Sequence, residues 1–133
     1  MNYFLDTNIC IYFLKQSFSS IGERLRALSP NQIKIPSIVQ AELLFGAEKS
    51  SLRARTLKII EQFLSPYEII AFGSKEAVVY ATIRKSLEEK GTVIGANDLI
   101  IAATVLASEG YLVTHNTREF KRVKGLRVEE WVR

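Results

Sequence analysis

At 133 residues, 47% hydrophobic and 24% charged, the chain fits one globular domain over 1–133 with a real core. No apolar run approaches the roughly 20 residues that span a bilayer. Met1-Asn2-Tyr3-Phe4-Leu5-Asp6 lacks the marks of a signal peptide and Cys10 is the sole cysteine, so a cytoplasmic protein without disulfides is expected. Lys and Arg total 18 against 14 acids, a net charge of +4 that suits a polyanionic partner.

Strand-length apolar runs alternate with longer helical patterns along the chain. Residues 2–5 read as a strand, 8–15 as a short helix and 19–28 as a second helix ending at Ser29-Pro30. Ile33-Lys34-Ile35 is a strand closed by Pro36, and Ser37-Ile38-Val39-Gln40 has the form of a capping box opening a helix to about Ser50. An amphipathic helix over 52–64 leads to a strand at 68–72 and a long helix over 74–90 stopped by Gly91. A helix over 97–108, apolar almost all round and therefore buried, is stopped by Gly110. A strand at 112–114, a short helix at 117–123 and a last strand at 126–128 complete the pattern. Strands separated by helices predict a three-layer α/β/α fold with a mainly parallel central sheet. Right-handed crossovers then bring the strand C-termini to one edge, where ligands bind in such sheets.

Candidate chemistry follows from where the acids fall. Asp6 and Asp98 are the only aspartates, beside twelve glutamates, and each stands at an element junction. Asp6 ends the first strand and is followed by Thr7 and Asn8, while Asp98 opens the buried helix. Both positions also favour a carboxylate as an ordinary helix N-terminal residue. Glu42 is less ordinary. Its helical neighbours Ile38, Val39, Phe45 and Gly46 form an apolar stripe, and a charge on a core-facing stripe is costly without compensation. Gly46, one turn on, leaves room for another backbone. Glu119 fits two roles, since Asn116-x-x-Glu119 is itself a capping-box pattern. Thr114 and Asn116 add neutral oxygens to either role.

At this point the chain resembles a family. Phe4-Leu5-Asp6-Thr7-Asn8, the Ser37-to-Gly46 segment with Ala41-Glu42-Leu43, Gly95-Ala96-Asn97-Asp98-Leu99-Ile100-Ile101-Ala102, and Leu112-Val113-Thr114-His115-Asn116-Thr117-Arg118-Glu119-Phe120 look like the successive motifs of PIN-domain nucleases. Their order and intervals are similar to the bacterial VapC-type toxins of toxin–antitoxin pairs. The resemblance implies a Mg²⁺- or Mn²⁺-dependent ribonuclease, neutralised by a cognate VapB-type antitoxin and usually a homodimer. Asp6, Glu42 and Asp98 fall on the family's core acidic positions. Many relatives carry aspartate where this chain has Asn116, which makes Glu119 the nearest fourth carboxylate.

The residues are compatible with that chemistry on their own account. Carboxylates are hard oxygen ligands suited to Mg²⁺ or Mn²⁺, and a single histidine, His115, with one cysteine supplies no zinc set. Asp6, Glu42, Asp98 and Glu119 are the expected catalytic group, the first three as metal ligands. Arg118, Lys121, Arg122 and Lys124 follow Glu119 closely and are expected to bind RNA phosphates. Leu44 and Ala47, opposite Glu42, and then Leu52 and Leu57 suggest either packing between two helices or a groove for a partner peptide. Two other classes place acids at strand ends. A haloacid-dehalogenase-like phosphotransfer domain wants a second aspartate where Asn8 stands, and a receiver-like one wants an early acidic pair. A non-catalytic RNA- or protein-binding domain of the same fold is the other alternative.

Overall fold

The first apolar run forms β1 (Tyr3–Leu5), with Phe4 and Leu5 buried. The structure, a computed structural model, describes residues 1–132. After β1 come α1 (Thr7–Leu14), α2 (Ser19–Ala27), β2 (Ile33–Pro36), α3 (Ser37–Lys49) and α4 (Arg53–Leu64). β3 (Glu68–Ile70), α5 (Ser74–Glu89), α6 (Ala96–Ala107), β4 (Tyr111–Val113), α7 (Thr117–Phe120) and β5 (Arg127–Glu129) follow.

The strands form one five-stranded sheet in the order β3-β2-β1-β4-β5, parallel throughout. The chain adds strands first on one side of β1 and then on the other. With right-handed crossovers, the helices up to α4 cover one face and those from α5 onward cover the other. This is the expected three-layer α/β/α arrangement. The direction of winding reverses between β1 and β4, and in such sheets the ligand crevice lies at that point, at the carboxyl ends of the strands.

The core lies between sheet and helices. Phe4, Leu5, Ile33, Ile35, Leu112 and Val113 come from the central strands, and every one is at most 1% exposed. Burial of side chains of this size stabilises by about 1.5–3 kcal/mol each. α6 is buried from Ile101 to Val105 without a break, as its all-round apolar sequence predicts. The turn from α6 into β4 depends on Gly110. A Cβ there would stand 2.6 Å from the Phe4 ring and 3.1 Å from the Asn2 carbonyl.

Several local expectations are corrected. The Ser37 capping box does not form, because Pro36 is still paired in β2 and occupies the N-cap, leaving Ser37 as the first helical residue. β3 ends at Ile70, not at residue 72, and α7 ends at Phe120, not at residue 123. Thr114 follows β4 instead of ending it. Pro30–Gln32 forms a 3₁₀ turn that periodicity did not suggest. Ala47 is fully buried while α3 packs on α4, so helix packing explains that side of α3.

Candidate active site

Parallel pairing sets the centre of the site. Leu5 of β1 pairs with Val113 of β4, so the next residues, Asp6 and Thr114, emerge side by side at the point where the winding reverses. The Asp6 amide donates to the Val113 carbonyl at 3.1 Å, extending the ladder by one bond. Asp6 is the N-cap of α1, and its Oδ1 accepts the Ile9 amide at 3.0 Å. Its Oδ2 accepts the Thr114 hydroxyl. Thr114 is fully buried and Asp6 is 6% exposed. Capping and site chemistry thus coexist in Asp6, one oxygen serving each.

Glu42 and Glu119 are held beside this pair by neutral donors, and Asp98 lies against Glu119. Thr7, next to Asp6, donates its hydroxyl to Glu42 Oε1 at 2.6 Å, and Asn97, next to Asp98, donates to Glu42 Oε2 at 3.3 Å. Glu119 Oε1 accepts the Gly95 amide at 2.9 Å, and Asn116 Nδ2 donates to Glu119 Oε2. The Asn116 amide in turn donates to the Thr114 hydroxyl oxygen at 3.0 Å. Asp98 and Glu119 both lie against Gly95: a Cβ built there would be 3.4 Å from Asp98 Oδ2 and 3.8 Å from Glu119 Oε1. A closed circuit results. It passes from Asp6 through Thr7 to Glu42, through Asn97 to Asp98 and Glu119, and back through Asn116 and Thr114.

Glu119 therefore does not complete a capping box, since the Asn116 amide it would accept is bound to Thr114 instead. Glu42 also differs from expectation. The buried stripe of α3 is Val39, Leu43 and Ala47, while Phe45 is 61% exposed and Gly46 lies at the surface. Glu42 sits on the flank of the core, at the rim of the crevice and half-buried. No atom of the described residues outside its own helix backbone stands within 4 Å of a Cβ at Gly46, so no other backbone among them approaches it.

The electrostatics are those of an acid cluster short of positive charge. Among the described residues, none of Asp6, Glu42, Asp98 and Glu119 forms an ion pair with a cationic side chain. Burial pushes the Asp6 carboxyl above its ordinary value against the pull of its hydrogen bonds, with a smaller push from Glu42. Asp98 is pushed up to about 7, first by burial, then by the charge and proximity of Glu119, then by Asp6 and Glu42. The donor set fits a hard divalent cation, because such an ion would relieve both the burial and the mutual repulsion. Among the described residues no three acids, imidazoles or thiols form a group that could hold a metal ion. Mg²⁺ does not require one, since it typically keeps several waters and takes one or two carboxylates.

Asn8 is exposed on the first turn of α1. The basic residues after α7 divide into two sets. Arg122 Nη1 donates to the Val93 carbonyl at 2.9 Å and is engaged within the protein. Arg118, Lys121 and Lys124 are exposed. Asn97 and the Gly95 amide were missed by sequence reasoning as members of the site. Their one signal was the Gly-Ala-Asn triplet directly before Asp98. His115 pairs through Nδ1 with Glu130 at 2.7 Å, beside the ring of Tyr12.

A parallel α/β domain with an acid cluster at its switch point defines a class. Residues 3–126 match the family model of the PIN domain, and the chain belongs to that family. It is 43% identical over 132 residues to Ribonuclease VapC2 of Rickettsia felis, covering 98% of each chain. It is 38% identical over 131 residues to the tRNA(fMet)-specific endonuclease VapC of Shigella flexneri, again covering 98% of each. A crystal structure of VapBC2 from Rickettsia felis bound to a DNA fragment from their promoter superposes with a TM-score of 0.93 at 42% identity, over 98% of this chain and 99% of that one. Among the described residues no helix is long and apolar enough to cross a membrane.

Proposed function

We propose that this chain is a Mg²⁺- or Mn²⁺-dependent endoribonuclease toxin that hydrolyses RNA phosphodiester bonds and is held in check by a VapB-type antitoxin. The observation that carries the reading is the cluster of four carboxylates at the switch point: Asp6, Glu42 and Glu119 are held by neutral donors, and Asp98 lies against Glu119. The relatives named ribonuclease and tRNA(fMet)-specific endonuclease support it and suggest a transfer RNA as substrate. Family membership, together with Asn8 where a second aspartate would stand, argues against a phosphotransfer domain.

Asp6 and Asp98 would hold the ion, with Glu42 beside them. When bound, such an ion supplies Lewis acidity at a phosphoryl oxygen and offsets the charge that builds during in-line displacement. The chain's own groups set the geometry. Thr114 fixes the Asp6 carboxylate, Thr7 and Asn97 fix Glu42, and Gly95 and Asn116 fix Glu119. Burial, and after it Glu119, holds the carboxyl of metal-free Asp98 up at about 7, so Asp98 would give up a proton in exchange for the ion. In the net reaction water adds at phosphorus, one P–O ester bond breaks, and a phosphate monoester and a hydroxyl result. Arg118, Lys121 and Lys124 stand ready to take RNA phosphates.

For the antitoxin, support comes from a groove between α1, α3 and α4. It is lined by Ile11, Leu14, Leu43, Gly46 and Ile59 and opens beside Glu42. Phe45 at 61% and Ile59 at 43% exposure leave apolar surface there for a partner peptide. A homodimer is expected from the family, and sedimentation would test it.

The deciding experiment incubates antitoxin-free protein with initiator tRNA and with a mixed small-RNA pool, in Mg²⁺, Mn²⁺ or EDTA. Discrete cleavage that needs the metal and is lost in Asp6→Asn and Asp98→Asn is the expected result. Tight RNA binding without turnover under every condition would instead make this a binding domain.

A further inference from the structure

The segment that delivers Asp98 is thinly supported. α5 ends near Gly91, whose φ is +66°, and Thr92 closes the helix with a bond to the Leu87 carbonyl at 2.9 Å. From there to the start of α6 the chain runs as an irregular connection. Val93 is 59% exposed. Val93 and Ile94 border a hollow of about 220 Å³ against Tyr80, Leu87 and Leu99. Packing therefore fixes the connection at Ile94, which touches the core, and leaves Val93 and Gly95 on either side exposed, although the segment immediately precedes Asn97 and Asp98.

Two hydrogen bonds from one short turn do the fixing. Apart from the Leu99 amide on the Gly95 carbonyl at 2.9 Å, which opens α6 itself, the bonds among the described residues that tie residues 93–95 to another element are Gly95 N–H to Glu119 Oε1 at 2.9 Å and Arg122 Nη1 to the Val93 carbonyl at 2.9 Å. The Arg122 amide itself bonds to the Glu119 carbonyl at 3.1 Å, so both anchors belong to the single turn that closes α7. One anchor accepts from the connection and the other donates to it, two residues apart. A charged donor on a carbonyl is the stronger kind of neutral-acceptor bond.

We infer that Arg122 is a positioning residue: its guanidinium braces the Val93 carbonyl and, with Glu119 on Gly95, holds the connection that sets Asn97 and Asp98. This inference rests on the proposed nuclease reading for its consequence in turnover. It departs from the expectation that Arg122 binds RNA phosphate. A phosphate ligand and a brace have opposite kinetic signatures. Removing a phosphate ligand raises KM and lowers the salt slope by about one. Removing a brace displaces a reacting group and lowers kcat, since a shift of about 1 Å at a site can cost 10²-fold.

The test measures initiator-tRNA cleavage at several salt concentrations for wild type, Arg122→Met, Arg122→Gln and Arg122→Lys. Amide hydrogen exchange of the same metal-free proteins is followed across residues 93–98. The brace predicts kcat down between about 10- and 100-fold in the two neutral variants, with KM and its salt dependence unchanged. It also predicts faster exchange confined to residues 93–98, and recovery of most of kcat by lysine, which keeps a donor on a long stem. A rise in KM with a shallower salt slope, or no change in kcat and exchange, overturns it. Arg122 is exposed, so neither neutral change empties the core, and two such variants guard against a misfolded one. If wild type cleaves nothing, the nuclease reading fails. Hydrogen exchange then still decides the brace.

Discussion

Thr114 holds the Asp6 carboxylate with its hydroxyl proton while its oxygen accepts the Asn116 amide at 3.0 Å. One buried side chain thus ties the end of β1 to the loop after β4 and orients the most buried acid of the site. The parallel register makes this meeting unavoidable, because Leu5 and Val113 are paired directly before it.

Replacing Thr114 with valine keeps the shape and removes the hydroxyl. Asp6 Oδ2 and the Asn116 amide would both lose a partner, which costs about 1–3 kcal/mol for a buried group left unsatisfied. Activity and apparent metal affinity should fall about 10- to 100-fold, the usual cost of losing a bond that orients a metal ligand. Thr114→Ser should recover most of both. Metal titration of cleavage checks this, and a valine variant with wild-type metal dependence would disconnect Thr114 from the site.

The Asp98 carboxyl gives a pH dependence whose sign can be worked out. Its folded value of about 7 lies above the ordinary 3.8. Between those values the folded chain retains a proton that the unfolded chain has released, so rising pH lowers stability across that window. The metal-free protein should therefore unfold at lower urea at pH 8 than at pH 5.5. Asp98→Asn should flatten part of the decline, and Mn²⁺ should restore stability more at pH 8, where the ligands are ionised. Equal urea midpoints for wild type at the two pH values would contradict the mutual repulsion of these acids.

The basic residues after α7 should separate by role. Lys121 and Lys124 are exposed, whereas Arg122 is bound to Val93. Charge reversal at Lys121 and Lys124 should weaken RNA binding and reduce its salt slope by about one for each phosphate no longer neutralised. Filter binding in EDTA, where cleavage is suppressed, reads this directly. An unchanged slope would take both lysines out of the RNA path.

What the sequence disclosed, and what it withheld, follows the range of the forces involved. Strand and helix alternation reports burial within each element, so α6 and the parallel sheet were legible, as was the convergence of Asp6 and Thr114. Glu42 was picked out for a partly mistaken reason. Its apolar neighbours Phe45 and Gly46 face outward, and periodicity counts stripes without saying which one meets the core. The Asn116-x-x-Glu119 pattern is local, but its outcome was decided 24 positions away by the Gly95 amide. Arg122 looked like one more base in a basic run for the same reason, since Val93 lies 29 residues back. Interactions at such separations depend on how α5, α6 and α7 pack, which no local pattern encodes.

Glu119 offers the sharpest test of how the acids act together. Gln at this position keeps an oxygen for the Gly95 amide and removes the charge that bears on Asp98. Asp98 should then ionise at lower pH, moving the acidic limb of the cleavage profile downward. The metal-free variant should also lose less stability than wild type as pH rises. Glu119→Ala removes the anchor as well as the charge, so it should lower kcat further while shifting the limb in the same direction. Comparing the three pH profiles at Mn²⁺ below saturation, where proton and ion compete for Asp98, separates the two contributions. A Gln variant with an unmoved acidic limb would mean that Glu119 does not tune Asp98 during turnover and serves only to hold Gly95.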